Sequence, residues 1–129
     1  MARVLIVEDS ATNRELLHEL LKDHVQCAFA PDGIAAVKAF NQSLAEKNFY
    51  DLILLDIGLP EVCGITLLDE IRAAEHEAGI PLGHGIPIMM VTAQENRFLE
   101  AYDKGCNDYL VKPIDPDSLL EKVKKYIAS

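Results

Sequence analysis

The chain has 129 residues, of which 50% are hydrophobic and 26% are charged, so it is long enough for one domain with a hydrophobic core. The formal net charge of -9 argues against a basic surface that binds nucleic acid or an anionic membrane without specificity. No apolar run approaches the ~20 residues of a membrane span, and Arg3 leads directly into a strand rather than into a signal peptide.

The first predicted elements are a strand and an amphipathic helix. Arg3 to Val7 is a short apolar run that is typical of a buried strand. Leucines at helical spacing predict a helix over about Ala11 to Lys22. We expect its inward side chains to be Leu16, Leu17, Leu20 and Leu21.

A second strand, about Val25 to Ala30, ends at the turn sequence Pro31-Asp32-Gly33. The helix that follows is expected to fray near Lys47 and Asn48 and to direct inward Ile34, Val37, Phe40 and Leu44. The third strand is the apolar run Leu52 to Leu55, which stops at Asp56.

A loop over Gly58 to Gly64 leads to a third helix, whose apolar face holds Leu67, Leu68 and Ile71. The glycines and prolines of Ala78 to Pro87 exclude both helix and strand and predict a loop that is long for such a connection and mobile.

The last elements are two strands and two helices. Ile88 to Val91 predicts a strand, and the short helix after it, with Phe98, Ala101 and Tyr102, is stopped by Gly105. After a fifth strand over Tyr109 to Val111, Asp115 and Pro116 have the positions of an N-cap and a first helical residue. The apolar stripe of this last helix is Leu119, Leu120, Val123 and Ile127. Five alternating units predict a parallel sheet covered by helices on both faces.

Polar residues follow four of the five apolar runs. Glu8 and Asp9 follow the first strand, Asp56 the third, Thr92 the fourth and Lys112 the fifth. The carboxyl ends of parallel strands lie along one edge of the sheet, where open sheets of this type bind their ligands. Carboxylates, a hydroxyl and an ammonium at one edge suit a metal ion and a phosphoryl group.

Four motifs at these strand ends occur in a specific order along the chain. They are VLIVED at Val4 to Asp9, LLDIGLPEVCG at Leu54 to Gly64, VTA at Val91 to Ala93 and YLVKP at Tyr109 to Pro113. Together they resemble the receiver domain of two-component response regulators, over the whole chain. The resemblance implies a single domain over residues 1–129, with a flavodoxin-like (βα)5 sandwich and a sheet of order 2-1-3-4-5.

The resemblance also implies the chemistry of the site. Asp56 would accept a phosphoryl group, and Mg²⁺ would be held by the Asp9 and Asp56 carboxylates, by Glu8 through water and by the Gly58 carbonyl. The phosphoryl-binding and switch positions would be Thr92, Ala93, Tyr109, Lys112 and Pro113, with Lys112-Pro113 as a cis peptide and Tyr109 as the switch aromatic. Gly58 and Gln94 stand where the lifetime of the phosphoryl group is tuned.

Electrostatics supports a metal at this edge independently. Two carboxylates about 4 Å apart repel by about 4 kcal/mol at an effective dielectric constant of about 20, so three together need a cation to stay ionised. A magnesium ion prefers oxygen ligands, typically one or two carboxylates together with phosphate oxygens.

The resemblance implies partners as well. The phosphoryl donor would be a sensor histidine kinase or a histidine phosphotransfer protein in the cytoplasm. The output would be a changed surface on the fourth helix, fifth strand and fifth helix, read by a protein target rather than by DNA or a membrane. A homodimer, the pathway and membership of a larger protein stay open.

Three other functions compete with this one. A phosphatase with Asp56 as nucleophile would want a second Asp two residues later, where this chain has Gly58. A scaffold of the same fold that works without phosphorylation has no need of the intact site residues. A flavin-binding protein would want a phosphate-binding loop after the first strand, where Glu8 and Asp9 would repel phosphate.

Other reactive side chains are assigned no chemistry. His18, His24, His76 and His84 show no ligand spacing, and Cys27, Cys63 and Cys106 indicate reduced thiols. Cys63 and the 78–87 loop depart from the family pattern and can mark a surface for a partner.

Overall fold

The structure is a computed structural model that describes residues 1–55, 64–81, 83–92 and 98–127, with only the backbone of residues 92 and 98–100. Strands and helices alternate throughout this part of the chain. The strands are β1 (Arg3–Val7), β2 (Gln26–Ala30), β3 (Leu52–Leu55), β4 (Ile88–Thr92) and β5 (Asp108–Val111). The helices are α1 (Ala11–Leu21), α2 (Gly33–Glu46), α3 (Gly64–Glu77), α4 (Phe98–Asp103) and α5 (Pro116–Ile127). None of the helices described is long and apolar enough to cross a membrane.

The strands form one parallel sheet in the order β2-β1-β3-β4-β5, which confirms the predicted order. In the register of the central strands, Val7 pairs with Leu55 and Leu55 with Met90, while Thr92 pairs with Val111 further along the edge. The chain reverses its direction of winding at β1, so the gap between β1 and β3 is the switch point where such sheets place a ligand.

Alternate residues of the strands pack into two separate cores. One core lies under α2, α3 and α4 and includes Leu5, Ile53 and Met90. The other lies under α1 and α5 and includes Ile6, Leu54 and Met89. Because the sheet is buried on both faces, its strands read as continuous apolar runs.

Local capping sets where the helices begin and end. Ser10 and Asp32 cap α1 and α2, and the Asp115 carboxylate accepts a hydrogen bond from the Ser118 amide at 3.1 Å with Pro116 as the first helical residue. At the end of α4, Gly105 has φ +104°. Its amide donates a hydrogen bond to the Tyr102 carbonyl, and the Cys106 amide donates one to the Ala101 carbonyl. This is a Schellman motif, as the glycine predicted.

Two side chains that were predicted to point inward are exposed. Leu16 is 48% exposed on α1, where Leu17 and Leu21 are the buried residues. Ile34 is 67% exposed, because α2 turns a stripe of smaller residues and one aromatic ring toward the sheet. The buried residues of that stripe are Gly33, Ala36, Phe40 and Ser43.

The loop over residues 78–87 contains no helix or strand where it is described, as predicted, and two charged residues of α3 anchor it. The Glu75 carboxylate accepts hydrogen bonds from the Arg72 guanidinium at 2.7 Å and from the Ile86 amide at 2.6 Å. Arg72 also donates to the Ile86 and Gly105 carbonyls. The loop is therefore tied both to α3 and to the turn between α4 and β5.

Candidate functional site

The candidate site begins where β1 ends. Glu8 is only 2% exposed, and its amide donates to the Ala30 carbonyl at 3.1 Å, so its backbone still follows the sheet. Asp9 is exposed at the same edge. Ser10 then caps α1. The two acids after β1 therefore lie in different environments: one carboxylate is buried in the protein and the other faces solvent.

The buried Glu8 carboxylate is held by groups from opposite ends of the chain. Its Oε1 atom accepts a hydrogen bond from Asn13 Nδ2 at 2.7 Å and forms an ion pair with Lys112 Nζ at 3.1 Å. The Glu8 carbonyl accepts from the Arg14 guanidinium at 2.7 Å. The Glu8–Lys112 pair brings together the ends of β1 and β5, as their positions after two strands of one sheet predict.

The ends of the central strands converge beneath this pair. Val7, Glu8, Leu55, Val91 and Lys112 line one small cavity, so the ends of β1, β3 and β4 and the residue after β5 are neighbours. In sequence, Asp56 directly follows the Leu55 of this cavity.

Several predicted site residues lie outside the part of the chain that the structure describes. They are Asp56, Gly58, Ala93 and Gln94, together with Cys63 and the side chain of Thr92. Their roles stay predictions. Thr92 is the last residue of β4, one residue beyond the predicted strand, and is in register with Val111.

The segment after β5 agrees with the predicted geometry. The Lys112-Pro113 peptide is cis, as predicted, and Pro113 is exposed. Tyr109 is half-buried against the core under α2, α3 and α4. Its carbonyl accepts a hydrogen bond from Lys122 of α5 at 2.8 Å. The aromatic residue therefore lies on a strand that α5 contacts directly.

A polar network joins β5 to α5 on the predicted output face. Asp108 accepts hydrogen bonds from Lys122 Nζ at 2.8 Å and from the Tyr126 hydroxyl at 3.0 Å. Burial alone would raise the pKa of the Asp108 carboxyl, but hydrogen bonds from Lys122, the Tyr109 amide and Tyr126 together lower it. Burial and the bond to Asp108 raise the pKa of Tyr126 to about 12.

The donor atoms at the site fit the predicted magnesium ion. Glu8 and Asp9 supply carboxylate oxygens, the ligand type that Mg²⁺ prefers. Among the residues described, no three His, Cys, Asp or Glu side chains are close enough to hold a metal. The third acid of the predicted cluster, Asp56, is outside that part of the chain, so the three-acid cluster remains a prediction.

The two described cysteines show no sign of chemistry. Cys27 and Cys106 are free thiols. Cys106 is buried, and burial raises its pKa to about 11, so the thiolate that would act as a nucleophile is disfavoured. Burial raises the pKa of Cys27 as well. Both behave as packing residues, as the sequence indicated.

Comparison with known proteins identifies the family and the fold. A family model described as the response regulator receiver domain matches residues 4–124 of the chain. The chain belongs to this family. The predicted family membership is thereby confirmed, and the strand ends just described are those of a receiver domain.

Curated relatives of this receiver domain differ widely in length. Chemotaxis protein CheY of Pseudomonas aeruginosa is 36% identical over 127 residues, which cover 95% of this chain and 94% of CheY. Hybrid signal transduction histidine kinase I of Dictyostelium discoideum is 36% identical over 131 residues, which cover 97% of this chain but 7% of the kinase. The chain thus spans nearly all of one relative and a small part of the other.

Solved receiver domains share the fold over almost the whole chain. The receiver domain of a sensor histidine kinase from Pseudomonas aeruginosa PAO1 matches with a TM-score of 0.81 and 29% identity, over 99% of this chain and 98% of that one. That structure has a magnesium ion coordinated in the active site cleft. Response regulator TrrA of Thermotoga maritima, in complex with Mg(2+)-BeF, matches with a TM-score of 0.79 and 31% identity, over 98% of this chain and 100% of that one.

Sequence reasoning missed the two α1 residues that hold Glu8 in place. Asn13 follows Glu8 by five residues and lies in the first turn of α1, and Arg14 is next to it. The Ser10 cap was the available signal, because a helix that begins at Ala11 turns its first-turn side chains back toward the end of β1. The residue types of Asn13 and Arg14 alone do not indicate that they contact the edge of the sheet.

Proposed function

We propose that this receiver domain accepts a phosphoryl group on Asp56 and signals through the conformational change that follows. In the transfer, the P–N bond of a phosphohistidine breaks as a P–O bond to the Asp56 carboxylate forms. The observation that carries the proposal is the Glu8–Lys112 pair, whose atoms are 3.1 Å apart. The pair lies at the edge of the sheet where β3 ends, and Asp56 is the next residue in sequence after β3. Lys112 lies at this edge, and an ammonium binds phosphoryl oxygens through charge-assisted hydrogen bonds.

The other site residues receive roles from their positions. Asp9, Asp56 and the Gly58 carbonyl would hold Mg²⁺, with Glu8 acting through water. A magnesium ion bound there would neutralise charge on the transferred phosphoryl oxygens. Lys112 would supply a compact positive charge to one phosphoryl oxygen, and Thr92, with the neighbouring Ala93 amide, would bind another. Gly58 and Gln94 would set how readily water reaches the acyl phosphate.

The domain would assist its own phosphorylation and dephosphorylation without being a phosphatase that acts on other substrates. A second acid two residues after Asp56 would be needed to protonate a leaving group, and the chain has Gly58 there. We therefore expect negligible turnover of p-nitrophenyl phosphate.

Input and output would use different surfaces. A sensor histidine kinase or a histidine phosphotransfer protein would deliver the phosphoryl group to the sheet edge in the cytoplasm. A protein target would read the face formed by α4, β5 and α5, where Tyr109 would become more buried in the activated state. Support comes from the hydrogen bond of Lys122 to the Tyr109 carbonyl, which couples α5 to that strand. Over residues 1–129 the chain would act as a single domain.

Incubation with acetyl phosphate and Mg²⁺ tests the proposal directly. Phosphate-sensitive electrophoresis should show a slower band for the wild-type protein that disappears in Asp56→Asn and when the metal is removed with EDTA. Asp69→Asn, which changes an exposed acid of α3, is the matched control and should keep the band.

Two results would contradict the proposal. One is a wild-type protein that stays unphosphorylated with acetyl phosphate and with a phosphorylated histidine phosphotransfer protein. Such a chain would work as a scaffold without phosphorylation. The other is a band that persists in Asp56→Asn, which would place the phosphoryl group elsewhere.

A further inference from the structure

The two outer strands of the sheet, β2 and β5, differ in what covers their outward sides. Beside β5, the Tyr126 hydroxyl of α5 donates to the Asn107 carbonyl at 3.1 Å. Lys122 of the same helix donates to the Tyr109 carbonyl at 2.8 Å. The sequence of β2 is QCAFA, without the charged residues or the proline that usually keep an outer strand from pairing with another chain.

The outward side of β2 carries backbone groups that are available for pairing. The Gln26 amide and the Ala30 carbonyl bond the chain on either side of β1, at 2.8 and 3.1 Å. Backbone groups of alternate residues point to opposite sides of a strand, so the amides and carbonyls of Cys27 and Phe29 point away from the sheet. Within the part of the chain that the structure describes, no group bonds them. Phe29 is also 38% exposed.

We propose that β2 pairs with the β2 strand of a second copy of this chain, antiparallel to it, about a twofold axis at Ala28. In this register Cys27 of one copy lies opposite Phe29 of the other. Each such pair exchanges both of its amide-to-carbonyl hydrogen bonds, so the outward groups of Cys27 and Phe29 are all satisfied. The sheets of the two copies then become continuous.

The occupant is a second copy because the strand is complementary to itself. Pro31 has no amide hydrogen, and the Val25 amide already bonds the end of α1 at 3.0 Å, so the pairing is confined to the residues around Ala28. Two residues beyond each end of β2, the same register sets His24 of one copy opposite Asp32 of the other, so no like charges meet. Ala28 on the axis is small enough for the close approach of a pair without hydrogen bonds.

The dimer should be weak, because the paired strands are short and their contact area is small. We expect a dissociation constant between about 1 μM and 1 mM. The net charge of -9 on each copy opposes association. Measurements therefore belong at about 0.15 M salt, where charges more than about 8 Å apart are largely screened.

Sedimentation velocity of the unphosphorylated 129-residue chain over a range of concentrations measures the dissociation constant. Phe29→Lys places a charge on the pairing strand and should raise that constant by at least about tenfold. The matched control is Phe49→Lys, which makes the same change at a phenylalanine that is 55% exposed outside the strands and should alter it by less than about twofold. If Phe29→Lys is poorly folded by circular dichroism, Gln26→Lys, at an exposed residue of β2, replaces it.

Amide hydrogen exchange followed by NMR locates the interface in the wild-type protein. The Cys27 and Phe29 amides should exchange at least about twofold more slowly at about 1 mM protein than at about 50 μM, because pairing protects them only in the dimer. In Phe29→Lys this dependence of the Cys27 amide on concentration should disappear.

A wild-type protein that stays monomeric at about 1 mM would overturn the inference and leave a strand of another protein as the occupant of β2. A dimer that forms equally well in a folded Phe29→Lys or Gln26→Lys variant would overturn it too. The same holds for a dimer in which the Cys27 and Phe29 amides exchange at rates independent of concentration, because the copies would then meet through another surface.

Discussion

Replacement of Glu75 by alanine should destabilise the protein strongly, although this residue lies far in sequence from the site residues. Its side chain is 5% exposed, and each of its two carboxylate oxygens accepts a hydrogen bond. One comes from Arg72, and the other comes from the amide of Ile86 in the long loop. The change therefore removes an ion pair and leaves a backbone amide of the loop without its acceptor.

The magnitude follows from what remains after the change. Removing one partner of a buried ion pair costs about 3–5 kcal/mol when the other charge is left without compensation. Arg72 is 20% exposed and retains the carbonyls of Ile86 and Gly105, so the cost should be smaller. We expect Glu75→Ala to lower the free energy of unfolding by about 2–3 kcal/mol, and the isosteric Glu75→Gln by about half as much.

Urea unfolding followed by far-UV circular dichroism measures these differences. Glu77→Ala, at an exposed position of the same helix, is the matched control and should change stability by less than about 0.5 kcal/mol. Hydrogen exchange adds a local readout, because the Ile86 amide should exchange faster in Glu75→Ala by more than global stability explains. If Glu75→Ala matches the control in both measurements, the carboxylate does not anchor the loop.

Four further outcomes are expected. Gly85→Ala should cost about 1–3 kcal/mol in urea unfolding, because its Cβ would overlap the Glu75 carboxylate, and should cost less when Glu75 is alanine. The pKa of Tyr126 is raised from 10.0 to about 12, so its hydroxyl contributes fully to folding stability below pH 10 and loses that contribution as the pH rises through 12. The difference in free energy of unfolding between wild type and Tyr126→Phe should therefore shrink between pH 10 and pH 12. The pKa of Asp108 is lowered, so wild type should be more stable to unfolding than Asp108→Asn above pH 3.8. This stability difference should disappear as the pH falls through the lowered pKa. Thr92→Ala should accept phosphate but undergo only part of the conformational change. The one charge-assisted hydrogen bond that remains, of about 1.5–3 kcal/mol, falls short of the roughly 5.5 kcal/mol that a full switch requires. A complete wild-type NMR shift in the phosphorylated variant would contradict this.

The fold was predictable from the sequence because strands and helices carry separate signals. Buried parallel strands are continuous apolar runs, and the caps at Gly105 and Asp115 are local signals that need no tertiary context. The position of the Glu8–Lys112 pair also followed, because topology alone brings the carboxyl ends of β1 and β5 to one edge.

The inward faces of two helices were less predictable. Hydrophobicity placed Ile34 inside, but α2 packs through small residues such as Gly33 and Ala36, which have little hydrophobic signal of their own. Side-chain contacts between distant segments were not predictable either. Arg72 donates a hydrogen bond to the Gly105 carbonyl, 33 residues away in sequence. No local sequence pattern predicts which acceptor a long charged side chain will reach.

The alternation of β3 between two cores limits how this chain can vary in evolution. Leu52 and Leu54 enter the core under α1 and α5, while Ile53 and Leu55 enter the other. Gain or loss of a single residue within this strand would exchange the side chains on one side of the change between cores of different shape. Length changes are therefore tolerated better in connections such as residues 78–87, where they leave the spacing between β3 and Asp56 unchanged.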